Sequence, residues 1–390
     1  MPGPPDFRKI MGFSMQAIRK YALHLFVLAS SFTASVGHAA EENTFYSDLA
    51  RDWYEGGDYF EWQSTTSNND GASVDVFYRT FGNPDNPQLL LIHGFPNSSF
   101  DYQALVPLLA DDYYIATLDF PGSGFSDKPL NGFSYMLEDN GLLVDYFVSE
   151  IVGFDDFALY THDRGVSIGL SFLGHYLDTN PEYRINYHFL SNSGMYLPLA
   201  NLVPFQMAML DPERGPEFIA ARKAQPRVTE GDPVVVGYAD IFKFNDGDAA
   251  LLGVGKYLLE RAANETSWLE NLPRSSVPIA YLWGLLDVVN PPRIAHYVWD
   301  TYLNEREVES SFWVLPTAGH YPQREKPEQV AKVIRTALSG QVPDSGSENA
   351  FMREYASTRD DEDAIYIGRS VPRTMEFPFQ ELYTPEGYLQ

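Results

Sequence analysis

From about Val74 onward, short apolar runs alternate with longer amphipathic stretches. The runs LLLIHG (89–94), YYIATLDFPG (113–122), FALYTHD (157–163), INYHFLSN (185–192), PIAYLWG (278–284) and SFWVLPTAG (311–319) are apolar almost throughout. Strands of that kind are covered on both faces, as in a parallel sheet. Helix-length stretches such as Leu137 to Val152 separate most of them, so the pattern predicts a doubly wound, mostly parallel α/β sheet with crossover helices. One gap is too long for a crossover. About eighty residues lie between Gly194 and Pro273 and read as helices, notably Pro216 to Ala224 and Asp248 to Ala263. They are expected to form an inserted helical cap over the C-terminal edge of the sheet, where such folds bind ligands.

The two ends of the chain depart from this pattern. Met15 to Ala40 has a basic start (Arg19, Lys20), an apolar stretch from Tyr21 to Val36 and small residues at Gly37 and Ala39, which predicts a cleaved secretory signal peptide. His24 and several Ser and Thr interrupt the apolar stretch, which falls short of the roughly 20 residues that span a bilayer. The expected product is exported, periplasmic or secreted, and free of the membrane once the signal is removed. After Gly340 ten acidic residues face four arginines, six of the residues reading RDDEDA (359–364), so the tail is expected to be partly disordered or to wrap the surface as a solvated strap, with its removal tolerated. The expected division is 1–39 signal peptide, 40–73 N-terminal extension, 74–194 first part of the core, 195–273 helical cap, 274–340 second part of the core and 341–390 acidic tail.

Composition narrows the partners. Of 390 residues, 44% are hydrophobic, which suits a globular core, and the net charge of −26 repels polyanions and argues against nucleic acid. The absence of cysteine removes disulfides, thiolate metal sites and thiol nucleophiles. Histidines 24, 38, 162, 175, 188 and 296 show no metal-ligand spacing, so no metal is expected.

Candidate chemistry lies at the strand ends. FALYT runs into His162-Asp163-Arg164-Gly165 and then an apolar helix pattern, placing Asp163 at a strand-to-helix turn. Asp163 there is either a helix N-cap or the nucleophile of an elbow in which it replaces serine. Downstream residues favour the elbow: Asp287 follows the next-to-last strand and His320 the last, giving the order nucleophile, acid, histidine. His93-Gly94-Phe95-Pro96 follows the first long strand, so the amides of Phe95 and Arg164 are expected to form the oxyanion hole. A carboxylate is ionised at neutral pH and attacks without a base. Its attack on saturated carbon gives an ester that water, activated by His320 with Asp287, can cleave. Epoxides and alkyl halides are the natural electrophiles, and no cofactor is implied.

The stretches HGFPNSSFDY (93–102), LDFPGSGFSDKP (118–129), THDRG (161–165), GLLDVVNP (284–291) and GHYPQREKP (319–327) resemble the α/β-hydrolase superfamily, within it the epoxide hydrolase and haloalkane dehalogenase branch. A closer likeness, through LSNSGMYLP (190–198) and FNDGDAALLGVGKYLLER (244–261), is to the mesoderm-specific transcript group. The resemblance implies an α/β-hydrolase fold with an inserted helical cap and an Asp163, Asp287, His320 triad. Haloalkane dehalogenases place halide donors where this chain has Arg164 and Phe95, which turns the expectation toward epoxide opening on a small hydrophobic substrate. Epoxide hydrolases need a cap tyrosine to protonate the departing alkoxide; Tyr257 is the first candidate and Tyr238 the second. Hydrolytic dehalogenation of a haloalkane or haloacid and a non-catalytic binding protein on a hydrolase fold are the alternatives.

Overall fold

The computed structural model describes residues 44–69, 71–343 and 362–375. The signal-peptide assignment to 1–39 and most of the tail lie outside these residues. The strands are β1 (Asp58–Gln63), β2 (Ser73–Phe81), β3 (Gln88–Ile92), β4 (Tyr114–Leu118), β5 (Asp156–His162), β6 (Arg184–Ser191), β7 (Ile279–Gly284), β8 (Ser310–Leu315) and β9 (Ile365–Arg369). They form one sheet in the order β1-β2-β4-β3-β5-β6-β7-β8-β9. From β4 to β8 neighbours run parallel, and β3 to β8 are the six apolar runs of the sequence, buried along nearly their whole length. Antiparallel pairs close both edges.

Helices of six or more residues are α1 (Asp48–Glu55), α2 (Leu137–Tyr146), α3 (Arg164–Thr179), α4 (Pro204–Met209), α5 (Arg214–Lys223), α6 (Pro233–Lys243), α7 (Gly247–Gly255), α8 (Tyr257–Leu269), α9 (Pro292–Val298) and α10 (Pro327–Leu338). The stretch 40–73 is more than an extension. Ser47 caps α1, and β1 pairs with β2 while burying Phe60 and Trp62 on one face, a period-2 signal carried by only two residues. Helices α4 to α8 occupy the long gap between β6 and β7. The expected helix over 248–263 is two helices, α7 and α8, meeting at Lys256. Helix α6 went unread although its start signal is present: Asp232 accepts from the Val234 amide and Pro233 sits in the first turn. Helix α8 packs against α3, which brings the inserted segment to the C-terminal end of β5.

The described part of the tail is not a free strap. β9 pairs with β8, burying Ile367 and Met375, and Ser370 accepts from the Ser310 amide at 2.9 Å. The acidic run contributes too, with Glu362 on Lys326 and Asp363 on Lys332. The expectation of tolerated removal therefore gives way: truncation after Gly340 strips a strand from β8 and exposes apolar side chains from both partners. At roughly 1.5–3 kcal/mol per buried side chain, the loss should be about 3 kcal/mol or more, read as a lower urea midpoint. An unchanged midpoint would show that β9 adds nothing to the core.

Candidate active site

Only Asp163 separates β5 from α3, and its backbone stands at φ 51° and ψ −115°, a region that costs a non-glycine residue about 1–3 kcal/mol. Backbone hydrogen bonds hold it there. Its amide donates to the Asn192 carbonyl at 3.0 Å, and its carbonyl accepts from the Ser193 hydroxyl at 2.6 Å and the Val166 amide at 3.2 Å. Close packing needs glycine on both sides. A Cβ on Gly94 would lie 2.6 Å from the Asp163 Cβ, and one on Gly165 would lie 2.6 Å from the Ile92 and His93 carbonyl oxygens. The Asp163 side chain makes no helix-capping bond; Oδ2 accepts from the Phe95 amide at 2.8 Å instead.

The loops after β7 and β8 bring the other two residues to it. His320 Nε2 lies 3.8 Å from Asp163 Oδ1, and His320 Nδ1 donates to Asp287 Oδ2 at 2.8 Å. Asp287 is fixed in turn: Oδ1 accepts from the Val289 and Asn290 amides at 2.8 and 2.9 Å, and Oδ2 from Asn192 Nδ2 at 2.9 Å. His162, to which the sequence gave no role, is buried, and its Nε2–H donates to the His320 carbonyl at 2.6 Å. Burial pushes the His162 pKa down to about 4, so the ring is neutral and carries one proton for that bond. Asn192, Asn290 and His162 thus orient the site, and their distant contacts left no sequence signal beyond the closeness of Asn290 to Asp287.

Burial opposes charge on Asp163, but His320, Arg261, His162 and the Phe95 amide outweigh it and hold the carboxyl below the ordinary aspartate range. For His320, burial also favours the neutral ring. Asp287, with its hydrogen bond, and then Asp163 and Asp101 overcome this and raise the pKa to about 9. The free site therefore holds an anionic Asp163 and a cationic His320.

Of the two amides expected at an oxyanion hole, that of Phe95 contacts the Asp163 carboxylate and that of Arg164 forms no hydrogen bond to it. The Arg164 side chain is fully buried between Phe120 and Tyr257. Tyr257 opens α8, packs its ring 5.3 Å from that of Phe95, and accepts from Gln206 Nε2 at 3.5 Å. Tyr238 is committed elsewhere. Its hydroxyl donates to Asp101 Oδ1 at 2.6 Å, a bond between distant segments, which removes it as a free proton donor. Among the described residues no group of three or more His, Asp or Glu could hold a metal ion, and no helix is long and apolar enough to cross a membrane.

A parallel sheet that presents a strained strand-to-helix residue, with an acid after one later strand and a histidine after the next, is the α/β-hydrolase arrangement. The chain belongs to the alpha/beta hydrolase family, whose sequence model matches residues 89–333. It is similar to LipZ of Mycobacterium tuberculosis, with 30% identity over 75% of this chain and 99% of that protein. The mesoderm-specific transcript protein of Mus musculus is 24% identical over 80% of this chain and 94% of its own. The haloalkane dehalogenase DbeA of Bradyrhizobium elkani shares the fold, with a TM-score of 0.58 at 18% identity, over 73% of this chain and 98% of that one.

The raised His320 pKa yields a test with a definite sign. A histidine whose folded pKa is raised stabilises the fold fully below its unfolded value of ~6.5, and that stability is lost as pH rises through the folded value. Asp287→Asn should lower the His320 pKa from about 9 by more than about one unit, read by NMR titration of the imidazole. The pH-dependent part of its stability deficit should be largest below pH ~6.5 and close as pH passes through about 9. A deficit independent of pH would separate Asp287 from the histidine's charge.

Proposed function

We propose that this hydrolase uses Asp163 as a carboxylate nucleophile, passes through a covalent alkyl-enzyme ester and opens an epoxide to a diol. One observation carries the reading. The Asp163 carboxylate is held by the Phe95 amide through Oδ2 at 2.8 Å, while Oδ1 faces His320 across 3.8 Å. Attack of such a group on an acyl carbon would give an anhydride, whereas attack on saturated carbon gives a plain ester that water can cleave.

In the first step Oδ1 bonds to an epoxide carbon, the ring C–O bond breaks, and the departing alkoxide takes the Tyr257 proton. Burial first, and then Asp163, raise the Tyr257 pKa to about 12, so its hydroxyl stays protonated until a stronger base forms beside it. In the second step His320 takes a proton from water and the hydroxide adds to the ester carbonyl, whose negative oxygen the Phe95 N–H receives. Collapse breaks the ester bond, the diol oxygen takes the proton from His320, and the proton left on Asp163 returns to Tyr257 through solvent. Esterification removes the Asp163 charge that helps raise His320, so in this reading the imidazolium releases its proton to solvent before acting as base and takes one back from solvent once the Asp163 carboxylate is restored. Helices α4 to α8 act as the cap in this reading, and the signal-peptide pattern of 1–39 supports action outside the cytoplasm.

His320→Gln should trap the ester, detectable as a mass increase on the peptide carrying Asp163, because alkylation needs no base and hydrolysis does. Tyr257→Phe should slow epoxide alkylation by roughly 10²-fold or more while leaving any haloalkane rate little changed, in stopped-quench mass spectrometry. A wild-type haloalkane rate above the epoxide rate would replace epoxide opening by dehalogenation. No adduct on Asp163 with either class would refute the nucleophile.

A further inference from the structure

Arg261 crosses from the inserted segment to the nucleophile. It sits in the second turn of α8, is 2% exposed, and directs its donors at the core. Nε donates to the hydroxyl of Ser167, in the first turn of α3, at 2.9 Å, and Nη2 donates to the Asp163 carbonyl at 3.4 Å. That carbonyl belongs to the residue at φ 51°, and its other donors, the Ser193 hydroxyl and the Val166 amide, come from the core itself. Glycine at 194 leaves room for the crossing, since a Cβ there would stand 3.1 Å from Arg261 Nη1 and 2.9 Å from Asn290 Oδ1.

The same guanidinium holds the proposed proton donor. Its carbon lies 4.8 Å from the ring centre of Tyr257, which precedes it by one turn on the same face of α8. The acids of α8 bind backbone amides instead: Glu260 accepts from Leu137 and Glu138 at 2.6 and 3.0 Å, and Glu265 from Leu197 at 2.7 Å. Charge acts on the nucleophile along with these contacts. Burial raises the Asp163 pKa, and Arg261 follows His320 among the groups that lower it. Burial leaves the other histidines facing Asp163 neutral, His93 at about 3 and His162 at about 4, and keeps the Tyr257 and Tyr321 hydroxyls protonated. His320, Arg261 and Arg164 remain as cations, and of these Arg261 is the one that the inserted segment brings.

We propose that Arg261 is a positioning residue for ester formation: from α8 it fixes the strained Asp163 peptide unit against the Tyr257 ring, so that the nucleophile is complete only with the cap docked on α3. The inference rests on the nucleophile reading and gives the cap a part in building the nucleophile besides covering it. Attack and protonation of the departing oxygen belong to one step, and a single side chain touching both groups sets their separation. A misplacement of about 1 Å at such a pair is enough to cost two orders of magnitude in rate.

Single-turnover kinetics with styrene oxide separate ester formation from ester hydrolysis. Arg261→Met should slow ester formation by roughly 10²-fold, while the ester, once formed, is hydrolysed at close to the wild-type rate because His320 and Asp287 are untouched. Ser167→Ala keeps the charge and removes its anchor, and should slow ester formation by roughly three- to tenfold. Equal slowing of both steps in Arg261→Met, a loss confined to substrate affinity, or an unchanged Ser167→Ala protein would overturn the proposal. A second readout needs no substrate. Carboxyl-carbon NMR of aspartate-labelled protein, with Asp163 assigned from Asp163→Asn, should show the Asp163 pKa rise in Arg261→Met and return part of the way in Arg261→Lys. An unmoved pKa in folded Arg261→Met would also overturn the proposal. Absence of any ester in the wild type counts against the nucleophile alone, and the NMR titration then decides whether Arg261 positions Asp163.

Discussion

The contact between the Phe95 amide and Asp163 Oδ2, 2.8 Å long, requires a backbone that a non-glycine residue resists. Asp163 must stand at positive φ, the His93–Phe95 loop must pass against its Cβ, and α3 must begin one residue later. Gly94 and Gly165 make the approach possible, and Ser193 and Asn192 bind the strained peptide units. The parallel sheet supplies the rest. Strands β3, β5, β7 and β8 point the same way, so their following loops converge at one edge and bring Phe95, Asp163, Asp287 and His320 together from nearly 230 residues of chain.

Charge at this edge differs from charge over the molecule. The chain as a whole is strongly acidic, yet Asp163 stays ionised because His320, Arg261 and the Phe95 amide surround it. Asp163 reciprocates by helping to keep His320 protonated, so each charge depends on the other. On the proposed chemistry this coupling orders the two steps: nucleophilic attack cancels one charge, and the loss of that charge releases the base.

Strands β3 to β8 were legible because strands buried on both faces write themselves as unbroken apolar runs, and Asp163, Asp287 and His320 could be picked out because each follows such a run. Other features were hidden for physical reasons. β9 is five residues long, follows an acidic run, and owes its existence to pairing with β8 some fifty residues earlier. Arg261 looked like any polar residue on an amphipathic helix, and only the packing of α8 on α3 turns it toward Ser167. The sequence ranked Tyr257 ahead of Tyr238, but it held no sign that Asp101, more than a hundred residues upstream, takes the hydroxyl of Tyr238.

In the proposed mechanism Asp163 donates an oxygen atom to the product, and a single turnover in heavy-oxygen water tests this directly. With enzyme in excess over an oxirane substrate, the first diol should carry no solvent oxygen, because its new oxygen comes from the Asp163 carboxylate. Mass spectrometry of the peptide spanning Asp163 should show one heavy oxygen gained per turnover. Solvent oxygen in the first diol, with Asp163 unlabelled, would mean that water attacks the substrate directly and would contradict the covalent mechanism.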